Sequence, residues 1–271
     1  MIRALFIAAL FFTMTPLLIS IQWLLGRLGL PGWGFISCNY YKVLRALLRI
    51  RVRVAGEQVA GRAVLYVSNH VSWVDIVVIG SLSPVAFVAK SEVRKWPLVG
   101  ITAEIQRTVF VDRARRHQTS DAIGEIVKRL ASGTSVVLFA EGTSSDGNRV
   151  LPFRSALVGA IKRAAEQGDV IGGAAGILIQ PMSICYTGLH GIPMGRQHRP
   201  LVAWYGDLDF MPHIKAFIER GAVDAVVSYG EPVAADGEAD RKEMTKTLEG
   251  AVRGLTTAAL LGRPQAAPRA S

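Results

Sequence analysis

From Ala4 to Gly26 the chain carries no charge, and beyond it short apolar runs alternate with amphipathic segments. As a helix the first run would be about 34 Å long at 1.5 Å per residue, enough for a bilayer core. Arg3 precedes it and Trp23 sits near its far end, where aromatic side chains gather at a membrane boundary. A secretory signal predicts a shorter apolar core and an Ala-x-Ala-like cleavage site, and neither is present. A helix buried in a protein core is the remaining alternative. The segment 32–50 differs: Trp33, Phe35, Ile36, Tyr40, Val43, Leu44, Leu47 and Leu48 interleave with Lys42, Arg45 and Arg49. That pattern predicts an amphipathic helix in the membrane interface, its bases toward lipid phosphates; a surface helix packed on the domain is the alternative.

After residue 50 the periodicity predicts strands at Arg51–Val54, Ala63–Ser68, Val85–Ala89, Thr108–Val111, Ser135–Phe139, Ile177–Cys185 (with a break at Pro181) and Ala225–Tyr229. Helical patterns lie between them. One opens at Thr119-Ser120-Asp121 and stops at Gly133; others cover 154–167, 212–220 and 239–260. Strands alternating with helices predict an α/β fold, a largely parallel sheet flanked by helices. The expected division is 1–54 for the N-terminal membrane helix and interfacial helix, 55–262 for the main domain and 263–271 for a tail.

Composition narrows the surroundings. Half the residues are apolar and the formal net charge is +10. Such a balance attracts polyanions, either nucleic acid or an anionic membrane surface. No zinc-finger spacing or aromatic RNA-binding strand is legible, so the membrane surface is expected and nucleic acid is not. Basic residues Arg27, Lys42, Arg45, Arg49, Arg51 and Arg53 follow the first run, and only Arg3 precedes it, which predicts the rest of the chain on the cytoplasmic side of the cell membrane. Cys38 and Cys185 form no metal or redox motif and are expected as buried thiols.

The candidate chemistry lies at two predicted strand ends. Asn69-His70-Val71-Ser72-Trp73-Val74-Asp75 follows one, and Phe139-Ala140-Glu141-Gly142-Thr143-Ser144-Ser145 ends another. A carboxylate that fixes one imidazole nitrogen as donor leaves the other free to take a proton. Taken alone, the first stretch also reads as a His capping a helix with an Asp in its first turn. Ser144-Ser145-Asp146-Gly147-Asn148, taken alone, is a turn-rich loop. The remaining histidines have no metal-ligand spacing, and no metal is expected.

Together the two stretches resemble the first and third signature motifs of the glycerolphosphate acyltransferase superfamily, in particular the lysophosphatidic acid acyltransferases. The resemblance spans roughly residues 55–235 and implies that 55–262 is the catalytic domain. It implies a membrane-bound O-acyltransferase that moves an acyl group from acyl carrier protein or coenzyme A to the free hydroxyl of 1-acylglycerol-3-phosphate, making phosphatidic acid. A thioester is already activated, so no cofactor is expected. His70 would be the base and Asp75 its orienting partner; Ser72 as an acylated nucleophile is the alternative. Val109-Phe110-Val111-Asp112-Arg113 is similar to the second motif and makes Arg113 a candidate phosphate contact. Gly142 would let substrate approach neighbouring N–H groups, with Glu141 and Thr143 in the same binding loop. Ile179-Gln180-Pro181-Met182-Ser183 resembles the weak fourth motif, expected to shape the acyl groove.

Two departures are informative. The family has Pro where Ala140 stands and Arg where Ser144 stands. Arg154, in Leu151-Pro152-Phe153-Arg154, is the expected replacement charge. The loop 141–148 and the Leu-Pro-Phe-Arg after it are also similar to bacterial lyso-ornithine lipid acyltransferases, whose acceptor has no phosphate. Two acceptors therefore stand open. A lipid-binding protein without turnover is the reading from another class, and intact His70 and Asp75 count against it. A hydrolase lacks its Gly-x-Ser-x-Gly elbow.

Overall fold

The strand β2 (Val64–Ser68) is buried at every position, as an inner strand covered on both faces must be. Its odd and even residues enter different cores. Val64 and Tyr66 join one cluster, Leu65 and Val67 the other. The computed structural model describes residues 2–112, 116–166, 176–235 and 240–263. Arg113 and the tail 264–271 lie outside the described residues.

Around β2 stand β1 (Ile50–Ala55), β3 (Val85–Lys90), β4 (Val109–Val111), β5 (Ser135–Phe139), β6 (Leu178–Leu189), β7 (Ile192–Pro193), β8 (Val223–Tyr229) and β9 (Val233–Ala234). They form one sheet of order β1-β8-β6-β2-β5-β3-β4, with β7 and β9 on β6. Neighbours along this path are parallel except β6 and β8; β7 and β9 are also antiparallel to β6. The sheet is therefore largely parallel, as expected, with an antiparallel insertion at β6. Strand β1 pairs with β8 from Ile50 to Ala55, so the sheet takes its edge strand from the chain just before residue 56.

Helices cover both faces. One carries α1 (Ile2–Arg27), α2 (Trp33–Leu47), α3 (Val74–Gly80) and α7 (Phe210–Arg220); the other carries α5 (Arg116–Ala131), α6 (Ser155–Glu166) and α8 (Arg241–Leu260). A short α4 (Val99–Ile105) follows a 3-10 turn at Ser91–Lys95. The two short helices α3 and α4 hold too few residues for a periodic pattern to stand out.

Only 17% of the most apolar stretch of α1 is buried, where a core helix would be mostly buried. Leu5, Phe6, Phe12, Leu17, Trp23 and Leu24 are exposed. Its other side is tied down by polar bonds: Arg3 Nη1 donates to Ile218 O at 2.7 Å, Thr15 and Tyr40 share a hydroxyl bond of 2.9 Å, and Gln22 Nε2 donates to Ser37 Oγ at 2.9 Å. In α2, Tyr40 and Tyr41 face the domain while Phe35, Lys42 and Val43 face out. The helix thus packs on the domain and still presents apolar and basic groups to the outside.

No break occurs at Pro181. Strand β6 runs through it because the missing N–H falls where its neighbour changes, after β9 pairs with Ile179 and before β8 pairs with Met182. Gln180 closes that gap, its Nε2 donating to Glu57 O at 2.7 Å and Gly230 O at 2.9 Å. Ile179, Gln180, Met182 and Ser183 are all buried, so the fourth motif is sheet core.

Candidate active site

The loop between β2 and α3 holds His70, and the first turn of α3 holds Asp75. A strand running straight into a helix turns the chain sharply enough to bring residues five apart into contact. His70 Nδ1 lies 2.7 Å from Asp75 Oδ2. A carboxylate only accepts, so Nδ1 carries the proton and Nε2 is left with its lone pair. Among the described residues Nε2 has no hydrogen-bond partner, and the His70 side chain keeps 21% of its surface exposed.

Asp75 is fully buried and every demand of its carboxylate is met. Oδ2 also accepts Val71 N at 2.7 Å and Ser72 N at 3.0 Å, two donors of the loop just ahead of the helix. Oδ1 accepts the Tyr186 hydroxyl at 2.6 Å. Burial, with the Asp75 charge beside it, pushes the Tyr186 phenol well above its ordinary value, so it stays a donor. Sequence reasoning missed Tyr186; the available signal was a phenol in a buried strand, which needs a partner. Tyr186→Phe should lower stability by about 1–3 kcal/mol, the cost of a buried oxygen left without its donor, and reduce turnover. Thermal denaturation and acyl-transfer rates on one preparation check this.

Phe139, the last residue of β5, fixes the plane of the imidazole: the two rings stack 4.0 Å apart at 19°. Asn69 fixes its approach. Its side chain exchanges two 2.9 Å bonds with the Ile184 backbone and locks the loop to β6. Ser72, the alternative nucleophile, is fully buried, and its Oγ has no partner among the described residues. It lacks both the exposure and the base contact a nucleophile needs.

The loop after β5 clasps His70 from behind. Glu141 Oε2 accepts His70 N at 3.3 Å, Oε1 accepts Leu151 N at 3.0 Å, and Ser145 N donates to His70 O at 2.8 Å. Glu141 is buried with both oxygens engaged by backbone, which places it as the anchor of the loop. Burial pushes its carboxyl up to about 8, outweighing the two backbone donors; the Asp75 charge adds to the rise. The folded protein therefore holds a proton there that the unfolded chain releases, and stability falls as pH rises from about 4.5 to about 8. Glu141→Gln should flatten that part of a melting-temperature-against-pH curve.

The rest of the loop is more open. Gly142 sits at φ 76°, a conformation that suits glycine, and its N–H donates to Phe139 O at 3.2 Å. Thr143 is exposed. Ser144, where the resembling family has Arg, donates its hydroxyl to Trp204 O. Arg154 is exposed at the start of α6, its N–H bonded to Ala140 O at 2.8 Å. Arg199 Nη1 donates to Asn148 Oδ1 at 3.0 Å, a basic residue beside this loop with no motif or spacing to mark it. The structure thus brings His70, Asp75, Glu141, Gly142 and Thr143 together at the carboxyl ends of β2 and β5.

This arrangement can take a proton from a hydroxyl. The acyltransferase family model matches residues 51–185. A lyso-ornithine lipid O-acyltransferase of Brucella abortus is 46% identical over 97% of this chain and 97% of its own. A 1-acyl-sn-glycerol-3-phosphate acyltransferase of Neisseria gonorrhoeae is 36% identical over 35% of this chain and 37% of its own. The crystal structure of a 1-acyl-sn-glycerophosphate acyltransferase from Thermotoga maritima superposes with a TM-score of 0.64, at 21% identity, over 95% of this chain and 93% of that one. With a relative matched across nearly its whole length and the family model covering both halves of the dyad, the chain belongs to the acyltransferase family and is an acyltransferase.

Proposed function

We propose that this enzyme acylates the free hydroxyl of a membrane lysolipid by direct transfer, without an acyl-enzyme, with His70 as general base. The observation that carries this is the buried, four-donor Asp75 holding His70 Nδ1, with Nε2 left without a partner among the described residues. Nε2 takes the hydroxyl proton as the oxygen attacks the thioester carbonyl. The tetrahedral intermediate collapses, the C–S bond breaks, and the thiolate leaves with the proton returned from the imidazolium. The donor is an acyl thioester of acyl carrier protein or coenzyme A, and the step needs no cofactor. The exposed apolar face of α1 and the basic residues after it hold the domain on the cytoplasmic side of the cell membrane, against an anionic surface where the acceptor lies.

The acceptor we propose is lyso-ornithine lipid. Ser144 supports this: its hydroxyl is spent on Trp204 O where a phosphate-binding Arg would otherwise stand. The near full-length relative in Brucella abortus, named for that acceptor, supports it too. The second reading, 1-acylglycerol-3-phosphate to phosphatidic acid, is favoured by the Neisseria relative and by Arg199 and Arg154 beside the loop, with Arg113 as a further candidate. Labelled acyl-acyl carrier protein and acyl-coenzyme A, each offered with either lysolipid, decide between them. Label entering ornithine lipid is the expected result. Label entering only phosphatidic acid would move the assignment to the second reading.

A further inference from the structure

Beside the dyad lies an aromatic cluster that the acyl-transfer chemistry does not use. Phe210, the first residue of α7, is its hub: its ring centroid lies 4.9 Å from Trp96, 5.3 Å from Trp204 and 6.1 Å from Trp73. Trp96 and Trp204 also meet edge to face at 6.1 Å. All four rings are only half-buried. The cluster is wired to the catalytic loops, because Trp204 N donates to Val71 O at 3.0 Å and Trp204 O accepts Ser144 Oγ. The segment 200–214, which supplies Trp204 and Phe210, contains Asp207 and Asp209 and no Lys or Arg, in a chain of net charge +10. Both aspartates are exposed.

Half-buried indole and phenyl rings, in a segment that carries two exposed carboxylates, attract an organic cation and have nothing to offer a phosphate. We infer that the Trp96, Trp204 and Phe210 cluster, with Asp207 and Asp209, takes the side-chain ammonium of the ornithine headgroup. This rests on lyso-ornithine lipid being the acceptor. Ornithine is a diamino acid, so a lipid whose acyl chain is joined to one of its amines as an amide keeps the other as a free ammonium. That cation is absent from 1-acylglycerol-3-phosphate, and the cluster is therefore a specificity site. Ser144 sets the position of Trp204 through its carbonyl and so links the altered motif to the altered headgroup.

The test measures KM and kcat of the full-length enzyme in mixed micelles for two acceptors: lyso-ornithine lipid, and the same lipid with its side-chain amine acetylated. The wild type is expected to show a KM about tenfold higher for the acetylated lipid, with kcat little changed. Trp204→Leu and Asp207→Asn should raise KM for the parent lipid and leave that for the acetylated lipid unmoved. Asp207 is exposed, so its variant keeps the test open if Trp204→Leu fails to fold. Equal KM for the two lipids in the wild type would overturn the inference while leaving the acceptor assignment standing. No acylation of either lipid by the wild type would overturn the acceptor assignment itself. Equal losses on both lipids, together with weaker binding to anionic vesicles, would make the cluster a membrane contact and also overturn the inference.

Discussion

His70→Ala is expected to cut acyl transfer by about a thousandfold while the protein remains folded. A positioned general base contributes about 10²- to 10⁴-fold. No neighbour can stand in: Ser72 is buried, and Glu141 is bound on both oxygens by backbone. The fold should tolerate the change because Asp75 Oδ2 keeps its bonds from Val71 N and Ser72 N when the imidazole is removed. Labelled acyl transfer and a thermal melt on the same preparation check both halves of the prediction. Full activity in the variant would remove His70 from the mechanism.

Asp75→Asn should lose nearly as much, by a different route. The side-chain amide replaces one accepting oxygen by an NH₂ among four donors, namely His70 Nδ1, the Val71 and Ser72 N–H groups and the Tyr186 hydroxyl. Either the loop ahead of α3 loses its acceptor or the imidazole is pushed into the wrong tautomer, with its proton on Nε2. In hydrolases built on the same pairing the tautomer error costs up to about 10⁴-fold, which sets the ceiling for the loss here. Because two residues acting as one unit are not additive, the double variant His70→Ala/Asp75→Asn should be little worse than His70→Ala alone. A rate series over the three variants, with melting temperatures beside it, separates this from plain unfolding.

What could be read from sequence was what is local. His70 and Asp75 are five apart across one strand-to-helix junction, so their spacing already reports the contact. Val64 to Ser68, Ser135 to Phe139 and the helix of 239–260 are apolar or periodic enough to declare themselves, and their structures start and end close to expectation. The helices α3 and α4 are too short to show a period. Tyr186, Trp204 and Arg199 reach the site from β6 and the segment after it: Tyr186 lies 111 residues beyond its partner Asp75, and Trp204 is still further from its partner Val71. Contacts of that kind come from sheet order, which a single chain of letters does not display. Pro181 predicted a break for a sound local reason, and the change of strand neighbours beside Gln180 removed it.

The most direct test of transfer by a His70 base without an acyl-enzyme is to mix the enzyme with labelled acyl thioester, first without and then with lysolipid, and to follow the label on protein and lipid. No protein-bound label is expected before lysolipid is added, and rapid transfer to lipid is expected afterwards, lost in His70→Ala. An acylated protein formed without lysolipid, with the label on Ser72 and chased into lipid, would contradict it.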